Sequence, residues 1–246
     1  MQYLRSIDGL VDRATDDLDE VVAGADLVVL AMPTGAMAGV VEQIKTFDGG
    51  AGGVVVTDVG SVKKPVVTEV APLVEARGGV FLGSHPMAGS EKAGVEYAEA
   101  ELFDGAAVIL TPDEKTNGWT EAQLRTFWEL LGARVSAMDA TGHDRMVAAV
   151  SHLPHLVAAS LVRVVMGDGS NAADYSGGGF RDTTRVSAGP EAMWAGILAD
   201  NHEAVSGKLG ELIGELQTWK DALDSLDRES LLRFLSEARQ MRETLK

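Results

Sequence analysis

Residues 27–32 are Leu27-Val28-Val29-Leu30-Ala31-Met32, a continuous apolar run that stops at Pro33. Three more apolar runs follow in the first half of the chain, at residues 54–58, 80–83 and 107–110. Continuous rather than alternating apolar residues are typical of strands that are buried on both faces of a parallel sheet. Helix-like stretches separate the runs, and this alternation indicates a doubly wound α/β sheet.

The stretches between the runs have apolar residues at helical spacing, which predicts helices at residues 35–46, 63–77 and 120–131. The last of these helices begins with a capping-box pattern at Thr120 and Gln123 and ends at Gly132. A short strand is expected after it, at residues 134–138.

The second half of the chain has the pattern of an all-helical domain. Strand signals disappear there, and apolar residues predict helices at residues 142–166, 190–220 and 227–244. Pro154 lies within the first of these helices, so a kink or break is expected at residues 150–154. We therefore predict a partial dinucleotide-binding domain at residues 1–139 and a helical domain at residues 140–246.

The composition excludes several classes of protein. The 246 residues carry a net charge of −16 and show no cluster of Lys or Arg, so no nucleic-acid partner is expected. The chain contains no cysteine, which excludes disulfides and thiolate metal sites. No apolar run approaches the ~20 residues that span a membrane, and no secretory signal is evident. A soluble cytoplasmic protein with no membrane partner is the expectation.

The start of the chain lacks a feature that dinucleotide-binding domains normally have. Such domains open with a strand and a G-x-G-x-x-G loop at a helix N-terminus, and residues 1–26 contain neither. In a doubly wound sheet that first strand is central, and without it the strand at residues 27–32 would expose an apolar edge. We therefore expect an N-terminally truncated chain with an incomplete Rossmann-type sheet, and a natural protein that begins earlier.

Two short motifs follow apolar runs, at the edge of the sheet where open α/β folds bind ligands. Ser84-His85-Pro86 follows the third run, and a histidine there can accept a proton near neutral pH. Gly60-Ser61 follows the second run, and the serine hydroxyl can bond a cofactor or a substrate. Structural roles stay open for both motifs, because His85 can bond the backbone and Ser61 can cap a helix.

Two motifs of the helical half can bind an anionic substrate. Ser151-His152-Leu153-Pro154-His155 places two histidines at the expected kink, but no acidic residue stands at metal-ligand spacing, so no metal is expected. The segment from Gly177 to Arg185 combines three glycines with two arginines, and Arg can bind a carboxylate through two hydrogen bonds. A solvated surface loop is the alternative for this segment. His143 has no special setting, so a core or surface role is expected for it.

Five strings of the sequence, taken in their order and spacing, resemble those of one enzyme family. They are Ala25-Asp26-Leu27-Val28-Val29-Leu30-Ala31-Met32-Pro33, Asp58-Val59-Gly60-Ser61-Val62-Lys63, Gly83-Ser84-His85-Pro86-Met87-Ala88-Gly89-Ser90-Glu91-Lys92, Ser151-His152-Leu153-Pro154-His155 and Gly177-Gly178-Gly179-Phe180-Arg181-Asp182. On these strings the chain resembles the prephenate dehydrogenase family over essentially its whole length. The first string is shared with many dehydrogenases, whereas the other four in this order are highly specific.

The resemblance implies oxidative decarboxylation of prephenate to 4-hydroxyphenylpyruvate, in tyrosine biosynthesis, with hydride transfer to NAD or NADP, NAD being favoured. It implies that His85 accepts the proton of the ring hydroxyl, and that Ser61 orients this histidine and approaches the nicotinamide. The other implied site residues are His155, Arg185, Glu91, Gly178 and Trp194 for the substrate, and Met32, Pro33 and Ser61 for the cofactor. Family members are dimers built through the helical domain, so a homodimer is expected.

Two alternatives to this interpretation stay open. An arogenate dehydrogenase would perform the same chemistry on the amino-acid analogue of prephenate, and His155 alone is thin support for prephenate. A non-catalytic remnant that cannot bind cofactor is favoured by the missing glycine loop. The retained Ser61, His85, His155 and Arg185 oppose the remnant, and titration of the chain with NAD and NADP distinguishes it from an enzyme.

Overall fold

The structure, a computed structural model, describes residues 11–49, 53–89, 97–167 and 171–245. The chain divides into two compact units, Met1–His202 and Glu203–Lys246. The strands and the site discussed below belong to the first unit, and the second unit is helical. The predicted domain boundary between residues 139 and 140 stays a prediction.

Three parallel strands form the first sheet, in the order β1–β2–β3. β1 is Leu27–Leu30, β2 is Val55–Asp58 and β3 is Val80–Phe81. The central strand β2 is buried along its whole length, which agrees with its apolar residues Val55 and Val56, and its polar residues Thr57 and Asp58 are buried as well. The predicted parallel sheet of Rossmann type is confirmed.

The third predicted strand extends further than expected and changes partners. After Leu82 it continues as β4, Gly83–Met87, in a second sheet of order β4–β5–β6. β5, Ala107–Thr111, runs antiparallel to β4, and β6, Arg134–Ala137, runs parallel to β5. The sequence predicts a strand that stops before His85, but this residue lies inside β4 because the ladder with β5 continues past it.

The first unit also contains helices before, between and after the strands. They are α1 Leu18–Val22, α2 Thr34–Gln43, a π-helical turn Val66–Val70 continued by α3 Ala71–Glu75, α4 Gly118–Leu130, α5 Ala140–Val147, a π-helical turn Ala148–His152 continued by α6 Leu153–Met166, α7 Gly178–Thr184 and α8 Glu191–Asp200. Short 3₁₀ turns lie at Asn171–Tyr175 and Arg185–Ala188. α9, His202–Asp224, and α10, Arg228–Glu243, follow.

The start of α4 and the presence of α7 differ from the sequence prediction. α4 begins at Gly118 because Asn117 is its N-cap, with Oδ1 accepting the backbone N–H of Thr120 at 2.9 Å. The capping box predicted at Thr120 is therefore wrong, although Gly132 follows the helix with a φ of 85°, as expected at a helix end. α7 was not predicted, because the glycine at its N-cap and the two glycines at its start favour a loop.

The helical stretch Ala140–Met166 contains the predicted break. The π-helical turn Ala148–His152 lies directly before Pro154, where the α-helical hydrogen-bond pattern cannot be kept. By length and composition alone the stretch is apolar enough to cross a membrane, which the sequence interpretation did not anticipate. It nevertheless carries the buried polar side chains of His143 and His152, which belong to the site described below.

Two apolar clusters pack the helices on the sheets. The first joins α2 and α3 to the first sheet and contains Val22, Leu30, Met37, Val41, Ile44, Phe47, Val54, Val56, Val66, Val70, Ala71, Val74 and Phe81. The second joins α4 to the second sheet and contains Leu82, Val108, Leu110, Leu124, Trp128 and Ala133. The first cluster includes Val56 of β2 and the second includes Leu82, directly before β4, so together they help to position the polar residues that follow in the chain.

Candidate active site

His85 lies in β4 with 7% of its surface exposed, and a second histidine holds its ring. Its Nδ1 atom is 2.8 Å from Nε2 of His143 on α5, and the two ring centroids are 5.0 Å apart in an edge-to-face arrangement. His143 is fully buried. Because Nδ1 of His85 is engaged, Nε2 is the ring atom left to meet a substrate.

Asp144 extends this chain of contacts and ties α5 to the turn after β2. Its Oδ1 lies 2.7 Å from Nδ1 of His143 and accepts the backbone N–H of Lys63 at 2.8 Å. Its Oδ2 accepts the backbone N–H of Lys64 at 2.8 Å. The side chain of Asp139 caps the N-terminus of α5. The carboxylate of Asp144 is therefore held by fixed donors.

Lys63 and Asp58 form a fully buried ion pair next to this turn. The ammonium of Lys63 also donates to the carbonyl of Ser84 at 2.8 Å, and the hydroxyl of Ser84 donates to the carbonyl of Asp58 at 2.6 Å. Burial lowers the pKa of the Lys63 ammonium, and the Asp58 carboxylate opposes this shift. Since removal of one partner would leave an uncompensated buried charge, the pair fixes β2 and β4 relative to each other.

A cleft of about 440 Å³ opens beside His85. Its polar and aromatic walls are formed by Ser61, His85, Ser151, His152, Arg185 and Trp194. The structure thus brings together four of the site residues that the resemblance implies: Ser61, His85, Arg185 and Trp194. Among the described residues that line the cleft, none is acidic and only Arg185 is a permanent cation.

His155 lies behind Trp194 rather than in the wall of the cleft. The two rings are stacked, with centroids 3.5 Å apart and planes inclined by 11°. A Cβ atom at Gly189 would lie 2.6 Å from Nε1 of Trp194, so only glycine leaves room for this stack. It is His152 that lines the cleft. The structure therefore gives His155 a supporting position and places His152 beside the substrate space.

Two further predicted substrate residues are not brought into the cleft wall. Gly178 is the first residue of α7 and is not among the described residues that line the cleft. Glu91 lies outside the described residues.

A second cavity of about 680 Å³ lies beyond the carboxyl ends of β1 and β2. The residues predicted for the cofactor, Met32, Pro33 and Ser61, all line it. A Cβ atom at Gly60 would lie 2.9 Å from Oδ2 of Asp58, so glycine is required where the backbone passes this carboxylate. Ser61 lines both cavities, so the two spaces adjoin at this residue.

The ionisation of the two cleft histidines follows from their burial. Burial lowers the pKa of His85 from 6.5 to about 2, and the ammonium of Lys63 and the neighbouring imidazoles of His143 and His152 further disfavour a positive charge on this ring. Burial also lowers the pKa of His152 to about 4, while Asp144 opposes that shift. Both imidazoles are therefore neutral at pH 7. Among the described residues, no group of three His, Asp or Glu side chains is arranged to hold a metal ion.

Comparison with known families agrees with this geometry. Residues 5–137 match the family model of the prephenate dehydrogenase nucleotide-binding domain, and residues 139–237 match that of the prephenate dehydrogenase dimerization domain. The chain belongs to the prephenate dehydrogenase family. The resemblance predicted from the five sequence strings is confirmed.

Individual relatives of this prephenate dehydrogenase family member cover most of the chain. It is 35% identical over 245 residues to the cyclohexadienyl dehydrogenase of Zymomonas mobilis, spanning 96% of this chain and 81% of that protein. The crystal structure of A. aeolicus prephenate dehydrogenase with hydroxyphenyl propionate and NAD+ matches with a TM-score of 0.86 and 31% identity, over 97% of this chain and 83% of that one. Synechocystis arogenate dehydrogenase matches with a TM-score of 0.79 and 28% identity, over 96% and 84%.

Sequence reasoning missed three polar residues of this prephenate dehydrogenase site: His143, Asp144 and Asn201. His143 was expected in a core or surface role, and it is in the core, but in direct contact with His85. Asn201 separates α8 from α9 and donates to the backbone carbonyl of Asp144 at 2.8 Å. In the sequence, His143 and Asp144 are simply adjacent residues of one predicted helix. Such a His-Asp pair is too common to predict a site.

Proposed function

We propose that this chain oxidises and decarboxylates prephenate to 4-hydroxyphenylpyruvate, with hydride transfer to NAD or NADP and with NAD favoured. The observation that carries the proposal is the arrangement of three side chains. A neutral His85 and a cationic Arg185 face one cleft, and Ser61 connects this cleft to the cavity at the strand ends. This reaction requires a base and an anion-binding group next to a cavity that can hold a dinucleotide cofactor.

His85 acts in this proposal as the general base. Its Nε2 takes the proton of the ring hydroxyl while the carbon that bears this hydroxyl gives up hydride and becomes a carbonyl carbon. Loss of the ring carboxylate as CO₂ then makes the ring aromatic, and the oxygen takes a proton back. Because aromatisation drives decarboxylation, the protein mainly has to supply the base and hold the ring; a positioned base contributes about 10²–10⁴-fold.

Arg185, His152 and Trp194 are the proposed binding groups for the substrate. The planar guanidinium of Arg185 can hold a carboxylate through two hydrogen bonds, and the face of Trp194 offers an apolar wall for the ring. His155 is proposed to contribute by supporting Trp194 from behind. Glu91 and Gly178 stay in the proposed substrate site on the family resemblance alone.

The second cavity fits the nicotinamide end of the cofactor. Its walls are mostly apolar, and they include Met32 and Pro33 at the end of β1 and Gly60 at the end of β2. When bound, NAD or NADP supplies the hydride acceptor for the reaction. Ser61 lines both this cavity and the substrate cleft, so it is placed to contact the substrate and the cofactor.

Arogenate is the second candidate substrate, because Synechocystis arogenate dehydrogenase has a similar fold and sequence. Arogenate carries an ammonium group where prephenate carries a ketone, and a buried ammonium needs an anionic or acceptor partner. None of the described residues that line the cleft is acidic. This lack of a carboxylate partner favours prephenate over arogenate.

Steady-state turnover on the two substrates tests the proposal. We expect kcat/KM for prephenate to exceed that for arogenate by at least about tenfold, which corresponds to ~1.4 kcal/mol. A higher kcat/KM on arogenate would reverse the substrate assignment. Calorimetric titration of the chain with NAD and NADP tests the remnant interpretation. If neither cofactor binds, the proposal that this chain is an active enzyme is contradicted.

We further propose a homodimer built through the helical residues, in a soluble cytoplasmic protein. The second unit exposes more than half of the surface of several large apolar side chains: Ile213, Leu216, Leu223, Leu232, Leu235 and Met241. Cβ atoms added at Gly207, Gly210 and Gly214 of α9 would meet nothing within 4 Å among the described residues. Several large apolar side chains exposed on two consecutive helices are typical of a subunit contact.

A further inference from the structure

We propose that Asp144 and Asn201 hold His85 and His152 in opposite tautomers, so that His85 presents a lone pair to the cleft and His152 presents an N–H. The inference deepens the proposed function, because it assigns the acceptor and the donor within the same site. It rests on the directions of four hydrogen bonds. Two of them begin at an oxygen of Asp144 that can only accept, and these two fix the directions of the other two.

The first set of bonds begins at a carboxylate, which can only accept. Oδ1 of Asp144 lies 2.7 Å from Nδ1 of His143, so the proton of this bond sits on Nδ1 of His143. Nε2 of a neutral His143 then carries a lone pair, and it accepts the proton of Nδ1 of His85 at 2.8 Å. Nε2 of His85 is left with its lone pair free to take a proton from the substrate.

A doubly protonated His143 would reverse the last bond, and its surroundings oppose that state. His143 has no exposed surface, and the buried ammonium of Lys63 lies in the same network. The carboxylate of Asp144 already accepts two backbone N–H groups besides the histidine. A protonated His143 would be a second buried cation beside Lys63, and the charge of the Asp144 carboxylate is already partly compensated. Burying this second charge would therefore cost free energy. The neutral chain is the favoured state.

The second set of bonds begins at a backbone carbonyl, which also can only accept. The carbonyl of Asp144 accepts from Nδ2 of Asn201 at 2.8 Å, which identifies this atom as the amide nitrogen. The same nitrogen lies 3.1 Å from Nδ1 of His152, and its second proton points to that ring atom. Nδ1 of His152 therefore accepts, and its proton must be on Nε2.

The two cleft histidines are thereby given complementary roles. His85 and His152 line the same cleft, one as an acceptor for the ring hydroxyl and the other as a neutral donor for an anionic oxygen of the substrate. Asp144 fixes both tautomers. Its side chain acts on His85 through His143, and its backbone carbonyl acts on His152 through Asn201. His143 and Asn201 are positioning residues, because they act on the substrate only through their neighbours.

Long-range ¹H–¹⁵N NMR of the ligand-free protein reads these tautomers directly. The chain has only five histidines, so every ring can be assigned by single substitution. We expect the proton on Nδ1 in His85, on Nδ1 in His143 and on Nε2 in His152. A proton on Nε2 of His85, a doubly protonated His143 or a proton on Nδ1 of His152 would overturn the proposal. Because no substrate is present, this result does not depend on the proposed activity.

A matched pair of variants tests the role of His143 in turnover. Gln at this position can still accept from Nδ1 of His85, whereas Leu cannot. We expect His143→Leu to lower kcat about 10²-fold or more with little change in KM, and His143→Gln to keep kcat within about tenfold of the wild type. Equal losses in both variants would mean that His143 has only a packing role and would contradict the proposal.

Asn201→Asp tests the second arm. A carboxylate at this position can only accept, so the proton of His152 is expected to move to Nδ1 and the cleft to lose its donor. KM for prephenate should rise about tenfold, with kcat changed less and the tautomer of His85 unchanged. His202→Gln, an exposed histidine outside the cleft, is the control and should leave turnover and both tautomers as in the wild type. An unchanged proton position on His152 in Asn201→Asp would overturn this arm.

Discussion

Arg185 and His85 both line one cleft. In the proposed reaction Arg185 binds the substrate and His85 accepts its proton. Replacing Arg185 by Lys keeps the charge but loses the planar grip of two hydrogen bonds on a carboxylate. We expect KM for prephenate to rise about tenfold, with a smaller change in kcat, in steady-state assays. Arg181→Lys, on α7 and outside the described cleft wall, is the matched control. An unchanged KM in Arg185→Lys would remove Arg185 from the substrate site.

The lowered pKa values of His85 and His152 predict how stability depends on pH. Unfolding returns each ring to a pKa near 6.5, whereas the folded values are about 2 and about 4. Below pH 6.5 the unfolded state therefore binds more protons, and stability falls by about 1.4 kcal/mol per pH unit for each histidine. For His152 this loss ends near pH 4. Urea unfolding at pH 7, 6 and 5 measures it, and equal stabilities at these three values would contradict the burial of the two rings.

At the scale of single residues, the sequence motifs predicted side chains that line the cleft. They did not predict the side chains that contact the substrate only through a neighbouring residue. Ser61, His85 and Arg185 stand in motifs whose spacing is specific, and they do meet in one cleft. His143 and Asn201 carry no such pattern, since their importance comes from contacts with residues 58 and 57 positions away in the chain. Contacts over such separations depend on the packed fold and cannot be read from local sequence.

At the scale of elements, the short segment between Arg185 and α8 positions the aromatic wall of the cleft. Gly189 faces Trp194, and a Cβ atom there would force the indole to move and so disturb its stack on His155. Loss of an aromatic stack costs about 0.5–1.5 kcal/mol, so Gly189→Ala should raise KM for prephenate about 2–10-fold. Gly39→Ala, on the exposed face of α2 with open space at its Cβ, is the control. A wild-type KM in Gly189→Ala would show that Trp194 does not shape the substrate space.

The positions of most strands and helices followed from hydrophobic pattern, and the exceptions have physical reasons. β1, β2, β5 and β6 lie where the apolar runs predict them. β4 was missed because Gly83-Ser84-His85-Pro86 has no apolar pattern, and these residues stay in a strand through pairing with β5 and through buried polar contacts. The break before Pro154 was predictable, since proline removes a backbone donor wherever it stands.

At the scale of the whole molecule, the exposed apolar side chains of α9 and α10 predict self-association. Leu216 on α9 exposes 57% of its surface, and an aspartate there would place a charge in the proposed contact. Sedimentation velocity should show a dimer for the wild type and a monomer for Leu216→Asp. Leu130→Asp, at the exposed end of α4, is the control and should stay dimeric. A monomeric wild type, or a dimeric Leu216→Asp, would contradict a dimer through this face.

The amino-acid composition could only exclude classes of protein. The function was predicted from sequence motifs and their order along the chain. A net charge of −16 argues against nucleic acid but says nothing of a substrate, because one arginine in a cleft suffices to bind an anion locally. The class of cofactor could be predicted from the family resemblance, and the residues that it implies for the cofactor, Pro33 and Ser61 among them, line one cavity. The choice between NAD and NADP could not, because residues 1–26 hold no glycine loop and no selecting residue.

Transient kinetics of His85→Asn provide the most direct test of the central claim, that one buried neutral imidazole removes the proton of the substrate. Rapid mixing of enzyme, prephenate and NAD follows reduction of the nicotinamide in a single turnover, and equilibrium titration gives the Kd for prephenate. We predict a rate about 10²–10⁴-fold below that of the wild type, with Kd changed by less than about tenfold. A rate close to the wild type, or losses of equal size in rate and in binding, would place the base elsewhere.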